Sequence, residues 1–198
     1  MSAKTQPSPL SRILLGLILL MAAGLAGLVA LTFNDVPSSS QRTLNAWHEV
    51  EASYAQRATL VPGILAAVRK VTGTQAELIG RIETRHAAVL ALSPNLATPR
   101  EPGRFSNFMK VQDSLSVQLG LVLDLMRLYP DQSREPELRK VFDDLELAES
   151  RMAVARTDYV ASARQYNANV EGVPGVWVTA LFHPEARPMV RDFATAQP

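Results

Sequence analysis

Residues 138–170 constrain the fold more tightly than any other stretch of the chain. Apolar or small side chains recur at Leu138, Val141, Leu145, Ala148, Met152, Ala155, Tyr159, Ser162 and Tyr166, in alternating steps of three and four. That spacing draws a single stripe along one face of a helix. Neither Pro nor Gly interrupts it. A helix with one apolar stripe owes most of its stability to tertiary packing, so this one has to lie against others.

The same periodicity appears upstream. One stripe runs through Leu44, Trp47, Val50, Tyr54, Ala58 and Val61, and past Pro62 and Gly63 it resumes at Leu65, Val68, Val71, Gln75, Leu78, Ile82, His86 and Val89. The phase crosses Pro62 unbroken, which admits one kinked helix, or two with Pro62 opening the second, where its missing N–H costs nothing. A single helix over 44–92 would exceed roughly 70 Å, longer than any partner, and two helices are expected. Pro94, Pro99 and Pro102 mark a connector over 93–103. A third helix carries Phe108, Val111, Leu115, Leu119, Val122, Met126 and Tyr129 on one side and stops at Tyr129-Pro130-Asp131. Glu135-Pro136-Glu137 opens the long helix with proline and acidic charge, and Gly172 and Pro174 end it. A short apolar segment, 176–182, and an irregular tail, 183–198, follow. With no strand signal competing, the expectation is an all-α fold: an antiparallel four-helix bundle over 44–182.

Ahead of the bundle, residues 13–33 carry no charge and are rich in Leu, Ile, Ala and Gly. At about 1.5 Å per residue a helix of that length covers a hydrocarbon core of roughly 30 Å. A cleaved signal peptide would have a shorter apolar region ending in a small-x-small site; this run leads instead through Phe33 into Asn34-Asp35-Val36-Pro37. It is expected to be a single transmembrane helix. Lys4 and Arg12 precede it and Asp35 follows. Positive residues stay inside, which makes 1–12 a short cytoplasmic amino terminus and puts the rest outside the inner (cytoplasmic) membrane, periplasmic or extracellular. Residues 34–43, with three consecutive serines from Ser38, read as a polar linker whose Ser40 caps the next helix. Ala22, Ala26 and Ala30, like Ala23 and Gly27, are small residues four apart, a pattern compatible with oligomerisation in the bilayer but common in membrane helices generally.

Composition narrows the chemistry. A formal net charge of +1 argues against a nucleic-acid partner held by phosphate neutralisation. The chain has no cysteine, which excludes disulfides, thiolate metal sites and a cysteine nucleophile. Glu83-Thr-Arg-His86 has the Glu-x-x-His spacing of carboxylate-bridged di-metal sites, but such sites need a second copy and two further carboxylates, and no second copy exists. No nucleophile elbow, zinc-protease helix, phosphate loop or dinucleotide fingerprint occurs. No catalytic residue, cofactor or metal is therefore assigned. Trp47, Tyr54, Tyr159 and Tyr166 lie on helical stripes and read as core residues before they read as a ligand cage. Glu149, Arg151, Arg156, Asp158 and Arg164 form a mixed-sign face, and an inward-facing Arg156 would require a carboxylate partner.

Several of these residues together resemble a known family. Tyr129-Pro130, Phe142, Leu145, the run Glu149-Ser-Arg-Met-Ala-Val-Ala-Arg156, Tyr159, Tyr166-Asn167, Pro174 and Ala180-Leu181-Phe182 are similar to the carboxyl half of LemA family proteins. Ala46-Trp47, Arg57, Leu60-Val61-Pro62, Leu65 and Val68 extend the likeness toward the amino end. The chain departs from the usual pattern at Ser150, Val160, Gly63 and His183-Pro184. The resemblance implies a single-pass anchor followed by an antiparallel helical bundle, and it brings no reaction.

From the anchor and the bundle together we expect a non-enzymatic protein-interaction or scaffolding role in the bacterial cell envelope. Arg156, Tyr159, Tyr166 and Asn167 would form the contact surface, with Trp177 and Phe182. The rivals are a ligand-binding sensor, which with so short a leader would need a partner for output, and a metal-dependent enzyme around Glu83 and His86.

Overall fold

The structure, a computed structural model, describes residues 9–72, 76–95, 97–129 and 135–193; within its first helix the side chains at 9, 11, 12, 25, 28, 31, 32 and 72 lie outside the description. Among the described residues five α-helices follow in order: α1 (Pro9–Thr72), α2 (Ala76–Leu90), α3 (Pro102–Arg127), α4 (Pro136–Glu171) and α5 (Gly175–Phe182). A short 3-10 turn, Thr98–Arg100, sits in the connector between α2 and α3. No strand occurs among the described residues.

Helices α1 to α4 run up, down, up, down. Ser39 meets Asn169, Tyr54 meets Arg156 and Lys70 meets Glu135, so α1 and α4 are antiparallel. Tyr54 lies beside Met109 and Arg57 beside Gln112, which makes α1 and α3 parallel. The bundle portion of α1, residues 36–72, and all of α4 each extend roughly 55 Å at the helical rise, a matched pair.

Three layers of core stack along that pair. The end far from the amino terminus is aliphatic, with Val61, Ile64, Val68, Ile82, Leu115, Leu119, Val122 and Leu145 buried together from all four helices. The middle is aromatic: Trp47, Tyr54, Phe105, Phe108 and Tyr159. Trp47 is the hub, its ring 5.6 Å from Phe105, 5.3 Å from Phe108 and 5.4 Å from Tyr159. At the third layer α2 and α3 have ended. There Val36, Tyr166 and Val170 close over Met189 from the tail.

Two expectations are corrected. Residues 34–43 are not a linker; α1 passes through them, and through both Pro37 and Pro62, without a break. A proline inside a helix costs about 3 kcal/mol. Burying one Val or Leu side chain contributes about 1.5–3 kcal/mol, and the α1 stripe buries Val50, Val61, Ile64, Leu65, Val68 and Val71 around Pro62 alone. Packing outweighs the ring. Around Pro37 the hydroxyls of Ser38 and Ser39 donate to the Asp35 carbonyl, so Ser40 is not the cap of a new helix. The first helix ends only at Thr72, eleven residues past Val61, where it was expected to stop. Gln75 and the Pro130-Asp131 stop lie outside the described residues.

The second correction concerns the end of the chain. Residues 183–193 are irregular, as expected, but they belong to the domain: Met189 is buried and Val190 donates its N–H to the Pro99 carbonyl at 2.7 Å. The apolar segment ahead of them forms α5 and packs on α1 and α4.

Residues 13–21 form helix with their large apolar side chains open to solvent, from 57% for Ile18 to 74% for Leu20. Among the described residues no helix is long and apolar enough to cross a membrane. The span expected over 13–33 includes positions 25, 28, 31 and 32, whose side chains are outside the description.

Candidate functional site

The middle of the bundle holds a charged cluster inside an aromatic one. Arg57 of α1 has no solvent exposure. Its guanidinium donates to the Gln112 carbonyl at 3.1 Å and side-chain oxygen at 2.8 Å, to the Ser116 hydroxyl and to Glu149 at 3.3 Å. One residue therefore ties α1 to α3 and α4 at once. A turn away, Arg156 of α4 donates to Asp113 of α3 at 2.9 Å and to the Tyr54 hydroxyl of α1. Both cations lie over the Tyr54 ring, the Arg57 guanidinium 5.1 Å and that of Arg156 5.2 Å from its centroid, a double cation–π contact. Phe193 of the tail covers Arg156 from outside at 5.4 Å.

The electrostatics follow from burial. Desolvation pushes the Tyr54 hydroxyl up to about 12 against the pull of Arg156. It also lowers Arg57, with Glu149 opposing. For Arg156 burial works the same way, but Tyr54 and Asp113 together outweigh it and hold the guanidinium above its ordinary value. Tyr54 thus keeps its proton at neutral pH, and a guanidinium stays charged in proteins. Each cation has a carboxylate, and the pairs join three helices. Such an arrangement fixes helix register; it offers no base poised beside a nucleophile.

Beside the cluster an open cleft of about 680 Å³ runs along α3 and α4. Asp113, Glu149, Arg156 and Arg164 supply charges of both signs, and Met152, Val160 and Phe193 an apolar floor. A second cleft of about 440 Å³ opens between α1, α2 and α3, with His86, Glu51 and Gln112 among apolar walls.

The residues singled out from sequence divide sharply. Tyr159 and Tyr166 are core side chains and Asn167 is buried; none of the three can be a contact surface. They staple the tail instead. Asn167 exchanges two 2.8 Å hydrogen bonds with the backbone of Met189, accepting from its N–H and donating to its carbonyl. The Tyr159 hydroxyl donates to the Val190 carbonyl. Burial raises the hydroxyls of Tyr159 and Tyr166 above the ordinary tyrosine range. Arg156 turns inward and finds the carboxylate it requires, Asp113, while remaining partly open to the cleft. Trp177 and Phe182 are more than half exposed, on α5 and far from that cluster in sequence. Glu83 pairs with Arg69 at 2.6 Å on the surface. Among the described residues no group of three His, Cys, Asp or Glu side chains could hold a metal ion.

Arg57 was missed as a site residue, although its signal was present. It falls three residues after Tyr54 and four before Val61, a charge on an apolar stripe. Gln112 stands likewise four after Phe108 and three before Leu115.

The model of the LemA family matches residues 46–197. No curated protein matches the chain. The matched segment begins one residue before Trp47 and takes in the tail that Tyr159 and Asn167 hold, so it coincides with the stapled bundle rather than with any one helix. By that match over most of its length, the chain belongs to the LemA family.

Proposed function

We propose that this LemA family protein is a single-pass membrane protein whose bundle works by binding another protein in the bacterial cell envelope, without catalysing a reaction. The observation that carries the reading is the run of exposed aliphatic side chains over 13–21, in one unbroken helix with the α1 portion of the core. No soluble protein surface keeps so many exposed leucines without a use for them. The flanking charges orient it, Lys4 and Arg12 toward the cytoplasm and the bundle outside. For the binding face the cleft between α3 and α4 is favoured over the buried Tyr159, Tyr166 and Asn167, since Arg156 and Arg164 meet solvent there beside Asp113 and Glu149. A helical or extended segment bearing both charges, with an apolar side chain for the floor, fits it.

The absence of cysteine makes both halves testable. A cysteine at Val117, labelled in intact cells by an impermeant maleimide, is expected to react; labelling only after lysis overturns the orientation. A photo-crosslinking residue at Ala161 or Arg164 is expected to give one recurring adduct that the same residue at Val117 does not. Adducts that are absent, or identical at all three positions, overturn the binding face.

The cleft also supports a second reading, a ligand-binding sensor, because its volume and paired charges suit a small zwitterion. A melting shift of the detergent-solubilised chain with free amino acids or short peptides would favour it.

A further inference from the structure

Helix α5 presents one face to the bundle and leaves the other uncovered. Gly175, Val178 and Thr179 are buried, whereas Trp177, Leu181 and Phe182 are exposed, Leu181 by 75%. No charged residue occurs between Gly172 and Phe182. The position of the helix matters as much as its composition. Phe182 meets Phe33 of α1 edge to face at 5.5 Å, and His183 lies 5.1 Å from the same ring. Phe33 is the last apolar residue of the uncharged run, and Asn34 and Asp35 follow it. The exposed side of α5 therefore lies level with the end of that run and is continuous with it through Phe33.

From this we infer that α5 is a second membrane contact: a short interfacial helix that seats Trp177, Leu181 and Phe182 in the headgroup–acyl boundary of the leaflet from which α1 emerges. The inference rests on the reading of 13–33 as an anchor and goes beyond it. The outward face of α5 carries Val176, Trp177 and Leu181, and Phe182 stands at its carboxyl end against Phe33; aromatic and aliphatic side chains favour the membrane interface, indole at the headgroup level. A protein partner would also cover apolar side chains, but it would not require them at the height where the uncharged helix ends. With α1 and α5 both in lipid, the bundle is held at two points and cannot swivel about a single helix. Its tilt, and so the direction in which the α3–α4 cleft faces, is then set.

The chain's lack of cysteine permits single-cysteine probes in the full-length protein. Leu181→Cys, Leu17→Cys and Val117→Cys would each be labelled with bimane and reconstituted in phosphatidylethanolamine–phosphatidylglycerol vesicles. Some of the phospholipid would carry bromine near the headgroup end of its acyl chains, or near the chain end. The Leu181 probe is expected to lose about half its fluorescence to shallow bromines and less to deep ones, as an interfacial position requires. The Leu17 probe should be quenched best by deep bromines, and the Val117 probe by neither. Quenching at Leu17 without quenching at Leu181 overturns the inference and leaves the anchor standing. Quenching at Leu181 alone keeps the lipid contact and removes the anchor. No quenching at either removes both. A Leu181 probe whose emission shifts to the blue without bromine quenching is covered by protein, and that too overturns the inference.

Discussion

Arg57 and Asn167 show how single residues organise this molecule. The Arg57 guanidinium, without solvent, has Glu149, Gln112 and Ser116 as its partners. Removing one member of a buried ion pair is costly because the other charge stays behind. Glu149→Ala is expected to destabilise the bundle by about 2 kcal/mol in urea denaturation, toward the low end because Glu149 keeps 29% exposure. Arg57→Met combined with Glu149→Gln should recover much of that loss. A cost for Glu149→Ala below about 0.5 kcal/mol would mean that the pair behaves as a surface one. Asn167 acts on the tail. Asn167→Ala leaves the Met189 N–H and carbonyl buried without partners, at about 1–3 kcal/mol. Hydrogen exchange at Met189 and Val190 should then accelerate while exchange in α3 does not; equal acceleration in both would show that the tail and bundle open as one unit.

At the scale of elements, two glycines respond to the same substitution with opposite sign. Gly63 sits inside α1 with open space where a Cβ would go, so Gly63→Ala should stabilise by about 0.5–1 kcal/mol through helix propensity. Gly175 begins α5, and a Cβ there would stand 1.8 Å from the Asn169 carbonyl oxygen. Backbone cannot yield as a side-chain tip can. Gly175→Ala should lower the melting temperature and release α5 from α4, and thermal melts of the two variants check both signs. The course of α1 is the largest departure of the fold from local sequence rules. Pro37 and Pro62 are local stop signals, and they are overridden because Val36 is buried under Tyr166, Val170 and Met189 beside the first, and the stripe on both sides of the second is buried in the aliphatic core. A local rule of about 3 kcal/mol loses to several buried side chains.

For the molecule as a whole, the aromatic layer sets a response to alkali. Tyr54 titrates at about 12 in the fold against 10.0 for the ordinary side chain. A group whose folded pKa is raised contributes stability that is complete below its unfolded pKa and lost as pH climbs through the folded one. Stability is therefore expected to fall between pH 10 and about 12. Tyr159 and Tyr166, also raised, add to the fall. Tyr54→Phe should flatten that slope in denaturant titrations at successive pH values. An unchanged slope would mean that Tyr54 ionises without hindrance.

Taken alone, the sequence determined the helical class, the stripes of α3 and α4, the uncharged run over 13–33 and the family signature, because periodicity and composition are properties of the chain itself. It even carried the signs of the central cluster, in charged or amide residues placed on apolar stripes. Only the tertiary structure decided that Tyr159 and Asn167 face inward to hold the tail, that Arg156 is shared between Tyr54 and Asp113, and that α5 lies level with Phe33. Those outcomes depend on contacts between residues tens of positions apart. No local pattern encodes which of two polar faces will meet a partner, because that choice belongs to the packing.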